Sequence, residues 1–186
     1  NYSYGFSILT SNCLMGSTIV CGLPDILSRE FWSHFSNYGF STLAGVPFVY
    51  EMLDRIGFLR KKHTSLRYMT QAGGRLRDSL ILKFALYAEN NDIEFFVMYG
   101  QTEATARMSY MPSNQLINNI GSIGQPIPGG QFNIDGKNNE LIFRGPNVFG
   151  GYARSKEDLR FIERNETLRT GDLAGINENG FYIITG

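Results

Sequence analysis

The sequence predicts an α/β fold: a largely parallel sheet covered by helices, followed by a small antiparallel β-barrel subdomain. Three observations predict it. Through residues 1–110, short β-branched or apolar runs alternate with helical patterns at the spacing that parallel crossovers need. Beyond about Met111, short strands alternate with Gly, Pro and Asn turns. Hydrophobic residues make up 42% of the 186, enough for a substantial core. The expected division is therefore an α/β subdomain over 1–110 and a barrel-like subdomain over 111–186.

The elements follow in order. Phe6, Ile8, Leu9 and Leu14 suit a helix running to Met15, which Gly16 ends. Ser17 to Cys21 reads as a short β-branched strand. Ser28 is placed to cap a helix whose Phe31, Trp32 and Phe35 share one face. Phe40 to Ala44 reads as a second strand. Pro47 then opens a helix through Val49, Met52, Leu53 and Ile56, at a position where its missing N–H costs nothing. Leu66 to Thr70 is a third strand, Leu76 to Ala88 a long helix, and Ile93 to Met98 a fourth strand. In the second half, strands are expected at Gln131 to Ile134, Leu141 to Arg144, Ala174 to Ile176 and Phe181 to Ile184, with a helix at Lys156 to Arg164. Asp135-Gly136 and Asn179-Gly180 are turn dipeptides between them.

Composition narrows the functional classes. Net charge is zero, so bulk charge implies neither a nucleic acid nor an anionic membrane as partner. Charged residues are 18%, below the roughly 25% usual for globular domains. No run of about 18 apolar residues occurs, so no membrane span is expected in this segment. Cys13 and Cys21 lack a metal-ligand spacing and read as buried free thiols in a reducing cytoplasm. His34 and His63 are isolated and are assigned to surface or helix-face positions.

The chemistry concentrates where the fourth strand ends, at Tyr99-Gly100-Gln101-Thr102-Glu103-Ala104. Open α/β sheets bind ligands at the carboxyl ends of their strands. There Tyr99 offers a flat face to a base, and Gly100 lets backbone approach closely. Thr102 can donate to a phosphate oxygen, and Glu103 can hold a hard cation such as magnesium. The plainer reading is a strand-to-helix turn with Thr102 as N-cap.

Other segments shift the balance. Tyr2-Ser3-Tyr4-Gly5, Gly45-Val46-Pro47 and Gln71-Ala72-Gly73-Gly74-Arg75-Leu76 lie upstream. Gly121-Ser122-Ile123-Gly124-Gln125-Pro126, Glu140-Leu141-Ile142-Phe143-Arg144-Gly145-Pro146, Thr170-Gly171-Asp172-Leu173 and Gly180 to Gly186 lie downstream. In this order and spacing the set resembles the adenylate-forming superfamily, most of all the AMP-forming acyl-CoA synthetases, over essentially the whole chain. The family's phosphate loop and its C-terminal domain with a catalytic lysine have no counterpart here. The chain is therefore expected to be a piece of a larger enzyme, with those parts as its partners.

The resemblance implies roles. Tyr99 would stack on adenine, with Gly100 and Gln101 lining the groove between nucleotide and acyl group. Thr102 would contact the α-phosphate and Glu103 assist magnesium. Asp172 would grip the ribose diol, against the alternative that it pairs with Arg169; Ile184 would lie against the adenosine or simply belong to the barrel core. Gly73, Gly74 and Arg75 match the loop along adenine's other face. Tyr4 and Gly5 match the aromatic–glycine pair beside the acyl pocket, and Gln71 and Ala72 match its floor. Two positions depart from the family: Tyr2 stands where many relatives carry histidine, and Asn139 where glycine is usual. The implied parent activates a carboxylic acid with ATP to an acyl-adenylate and passes the acyl group to coenzyme A, in fatty-acid metabolism. The fragment alone would be inactive. Two alternatives stand beside it: an adenylation enzyme loading an acyl carrier protein, and a non-catalytic nucleotide-binding remnant.

Overall fold

The computed structural model describes residues 2–160 and 165–186. Nine strands form one continuous hydrogen-bonded order, β1-β2-β3-β4-β5-β9-β8-β7-β6. β1 (Thr42–Gly45), β2 (Tyr68–Gln71) and β3 (Glu94–Tyr99) are parallel, with Thr42 opposite Tyr68 and Tyr68 opposite Glu94. From β3 onward every pairing is antiparallel, through β4 (Ser109–Met111), β5 (Ser122–Pro126), β9 (Tyr182–Ile184), β8 (Thr167–Ile176), β7 (Glu140–Arg144) and β6 (Gln131–Ile134). The α/β reading with a parallel first sheet therefore holds. The separate barrel is not seen: among the described residues the second half continues the first sheet, and the order ends at β6 without returning to β5. The strands β4 and β5 that make this join were absent from the sequence reading.

The helices carry the parallel half. α1 spans Ser3–Leu14, α2 Arg29–Asn37, α3 Pro47–Arg55 and α4 Asp78–Asn90. The Ser28 hydroxyl accepts the Phe31 N–H at 3.1 Å, satisfying one orphan donor of α2. Pro47 begins α3 as expected. α4 buries Leu80, Ile81, Phe84, Ala85, Tyr87 and Ala88 against the parallel strands, whose Met69 and Phe95 are fully buried. Tyr50 is also fully buried, and its hydroxyl donates to the Thr70 carbonyl at 2.9 Å. A second apolar cluster under the antiparallel half gathers Met108, Phe132, Leu141, Phe143 and Ala174.

Several sequence expectations need correction. Ser17 to Cys21 pairs with no strand and runs as irregular chain. Its β-branched residues favour extension, yet a strand needs a ladder partner. Of the expected helix Lys156 to Arg164, residues 156–160 form a turn and a single 3-10 turn, Asp158–Arg160, and 161–164 lie outside the described residues. The strand expected at Ala174 is much longer and starts at Thr167. Cys13 and Cys21 are exposed thiols, not buried ones. His63 is half-buried and off any helix: its ring stacks on Phe58 at 4.2 Å, against the aromatic face of α2. Asn139 does adopt the left-handed backbone, with φ 59°, that its turn requires.

Candidate functional site

A cavity of about 300 Å³ opens where the parallel strands end and the antiparallel half begins. Its walls include Gln71, Gly73, Gly74, Arg75, Tyr99, Gly100, Gln101, Asp172 and Ile184, contributed by both halves of the chain. Gln71 and Tyr99 end β2 and β3, Gly73 to Arg75 and Gly100 to Gln101 lie in the segments that follow them, Ile184 ends β9, and Asp172 sits mid-way along β8. Gln71, nearly fully buried, donates from Nε2 to the Gly74 carbonyl at 2.8 Å and pins the small-residue loop.

The polar end of the cavity is built around one carboxylate. The Tyr99 hydroxyl donates to Asp172 Oδ2 at 2.5 Å, and Gln101 Nε2 donates to the same oxygen at 3.2 Å. Gln101 also reaches the Thr170 carbonyl at 2.8 Å, tying the end of β3 to β8. Burial, reinforced by the Asp172 carboxylate, raises the Tyr99 hydroxyl's pKa well above its ordinary value, so it stays a proton donor. Asp172 does not pair with Arg169. That guanidinium instead bonds Asp135 at 2.8 Å and also Glu140. Ile184 lines the cavity and packs against the second apolar cluster.

The other anticipated residues lie elsewhere. Thr102 begins a 3-10 turn, Thr102–Ala104, whose N-cap is Gln101, so the plain N-cap reading of Thr102 fails. Its hydroxyl instead meets Ser3 Oγ at 3.0 Å. Glu103 is half-buried; the Tyr152 hydroxyl donates to it and holds the carboxyl below its usual range. Glu103 is a single carboxylate beside the turn. Magnesium is commonly held by one or two carboxylates plus substrate phosphates, so this donor fits the ion. Among the described residues no group of three His, Cys, Asp or Glu forms a metal site. Tyr4 is buried, bonded to Thr70 Oγ1 at 2.8 Å, and desolvation pushes its hydroxyl up to about 12. Ala72 packs with Tyr4 and Ala106, whereas Gly5 faces a different groove, beside Ser17–Val20.

Gly100 has a different task from the one its sequence suggested. A Cβ there would sit 2.2 Å from the Ala106 carbonyl oxygen, so the close approach is to the chain's own backbone. The missing side chain lets the turn from Thr102 fold back on β3. Sequence reasoning also missed Asp78, Ser122 and Ile123, which line the cavity. The Gly-Ser-Ile-Gly segment was a visible signal; Asp78, in the first turn of α4, carried none.

The profile of the AMP-binding enzyme family matches residues 2–153. The chain belongs to that family. Among curated relatives it is 26% identical over 189 residues to the 2-succinylbenzoate–CoA ligase of Bacillus cereus strain Q1, covering 97% of this chain and 38% of the relative. It thus spans under two-fifths of that relative's length. Solved structures agree on the fold. The Bacillus subtilis o-succinylbenzoate CoA synthetase with its acyl-adenylate intermediate superposes with a TM-score of 0.79 at 20% identity, over 98% of this chain and 38% of that one. VinN in complex with L-aspartate gives 0.77 at 25% identity, over 100% of this chain and 47% of that one. No described helix is long and apolar enough to cross a membrane.

Proposed function

We propose that this chain is the adenosine-binding part of an AMP-forming acid–thiol ligase. In this reading the intact enzyme joins a carboxylic acid to ATP as an acyl-adenylate, releases pyrophosphate, and transfers the acyl group to coenzyme A. The observation that carries the proposal is the meeting of Tyr99, Gln101 and Asp172 across the two halves of the sheet, in a cavity sized for a nucleoside. A carboxylate has the acceptors to take a cis-diol, and the Tyr99 ring borders the same space. Gly73, Gly74 and Arg75 face it from the opposite loop. Thr102 lies next along the chain, where phosphate would emerge, and Glu103 beside it would hold magnesium, whose charge would offset that of the phosphates. Tyr4, Gly5, Gln71 and Ala72 would border the acid. Relatives that are CoA ligases support the acceptor; the acid is open, and L-aspartate in VinN argues for including amino acids among the candidates.

The chemistry needs no covalent nucleophile, because a carboxylate becomes a good acyl donor once its oxygen is bonded to phosphorus. The protein's share is positioning and charge stabilisation. The test is calorimetry on the intact protein that carries these residues, with AMP, ATP and 2′,3′-dideoxy-ATP. Asp172→Ala should weaken AMP and ATP by roughly 10-fold or more, the worth of a hydrogen bond to a charged group, while barely moving the dideoxy analogue. Equal losses for all three nucleotides would make Asp172 structural. An absence of acid-dependent pyrophosphate exchange across aliphatic, aromatic and amino acids would remove the ligase reading.

A further inference from the structure

Asn179-Gly180 is the only Asn-Gly step in the sequence, and it lies in the turn that joins β8 to β9. Both residues are exposed. Gly180 has φ 83°, and among the described residues nothing lies within 4 Å of where its Cβ would stand. Such a pair carries the means of its own modification. The glycine amide nitrogen follows the asparagine carboxamide directly, and no side chain shields its approach. Nucleophile, electrophile and solvent water meet in one open turn.

The side chain is nevertheless held. Asn179 Nδ2 donates to Asn119 Oδ1 at 2.9 Å, and Asn177 Nδ2 donates to the same oxygen at 3.0 Å. Asn119 is itself buried, and its Nδ2 donates to the Gln115 carbonyl at 2.9 Å, which fixes Oδ1 as the atom facing the turn. Asn177 Oδ1 accepts the N–H groups of Asn179 at 3.1 Å and Phe181 at 2.8 Å. The Gly180 N–H donates to the Asn177 carbonyl at 3.0 Å. Both reacting groups are therefore engaged, the carboxamide by Asn119 and the attacking nitrogen by Asn177. Ring closure requires both to let go.

We propose that Asn179 deamidates spontaneously through attack by the Gly180 nitrogen, and that the Asn119 carboxamide restrains this in the folded protein. Solvent base takes the Gly180 amide proton, and the nitrogen's electron pair bonds to Asn179 Cγ. The Cγ–Nδ2 bond breaks, and Nδ2 leaves as ammonia after taking a proton from water. Water then opens the cyclic imide at either carbonyl, leaving aspartate or isoaspartate at position 179. The product cannot restore the contact, because an ionised carboxylate only accepts and Asn119 Oδ1 only accepts. Isoaspartate also lengthens the backbone inside the turn. β8 and β9 carry Asp172 and Ile184 to the cavity, so the change loosens the hairpin that supplies part of its wall. The site is independent of the ligase reading.

The test holds the intact protein at mildly alkaline pH, folded or in guanidinium chloride. Conversion at each asparagine is followed by peptide mapping, with isoaspartate distinguished by electron-transfer fragmentation. Asn179 should convert first, and more slowly in the folded protein than in the unfolded chain. Asn119→Ala should speed conversion in the folded state by roughly fivefold, the factor for one neutral hydrogen bond, and leave the unfolded rate unchanged. Asn119→Leu, of similar volume and also without an acceptor, takes its place if the alanine variant does not fold. Asn179→Asp should raise amide hydrogen exchange in the turn from Asn177 to Phe181 and leave β1 and β2 as they were. Equal folded and unfolded rates, an unchanged rate in the folded Asn119 variant, earlier conversion of another asparagine, or unchanged exchange in Asn179→Asp would each overturn the proposal.

Discussion

At the scale of single residues, the aromatic packing of His63 makes a pH prediction. Desolvation holds its pKa below the ordinary 6.5, with the nearby Lys61 charge acting in the same direction. The unfolded chain therefore binds a proton at a pH where the folded one does not. The contribution is fully present above about pH 6.5 and is lost as pH falls toward the folded-state pKa. Urea midpoints measured from pH 7.5 down to 5 should decline, and His63→Phe, which keeps the ring on Phe58, should flatten that part of the decline. Identical pH profiles would show that the imidazole titrates alike in both states. The identity of such a residue is plain in a sequence, but its burial is not. His63 and the two cysteines were misplaced because isolated side chains carry no periodicity to say which way they face.

Elements were more legible, wherever a local rule dictated them. Ser28 was identified as an N-cap because the hydroxyl precedes an aromatic stripe at helical spacing, and its bond to Phe31 N–H bears this out. Ser28→Ala should cost about 1 kcal/mol by denaturant unfolding, whereas Ser28→Asp should cost little, since both serine and aspartate can accept the bond. Equal losses would mean the hydroxyl acts through something other than the cap. Elements set by tertiary partners were harder to see. Ser17 to Cys21 has the composition of a strand and no ladder, while β4 is only three residues long, β5 contains both Gly and Pro, and the two exist because β3 and β9 lie beside them. The Tyr99–Ala104 segment divides the same way. Residues at the end of β3 fall into the cavity as expected, but Gly100 serves the turn after Thr102, a task that only the fold-back of the chain reveals.

For the whole molecule, the decisive joint is where β4 meets β5. Sequence reasoning drew a domain boundary near Met111, and the structure runs the sheet straight through it. Gly124 permits this. A Cβ there would lie 2.0 Å from the Tyr110 carbonyl oxygen, and its φ of +77° disfavours other residues. Gly124→Ala should therefore lower stability by roughly 2–4 kcal/mol, the range for backbone strain combined with steric displacement. Hydrogen exchange should rise in β4 and β5 together, more than in β1 or β2. A uniform rise across all strands would show that the joint has no special part in holding the halves together.

The same joint fixes the distance between Tyr99 and Asp172, and their contact has a thermodynamic consequence. Asp172 Oδ2 accepts two donors from within the protein, Tyr99 and Gln101. A ribose hydroxyl arriving at that oxygen displaces a resident partner, so one charge-assisted bond replaces another and little net enthalpy is gained there. A ligand offering a single hydroxyl would merely swap. A vicinal pair can also engage Oδ1, for which no partner is seen among the described residues, and collects a bond that replaces none. Discrimination in favour of a diol would then arise from the two donors that Asp172 already holds.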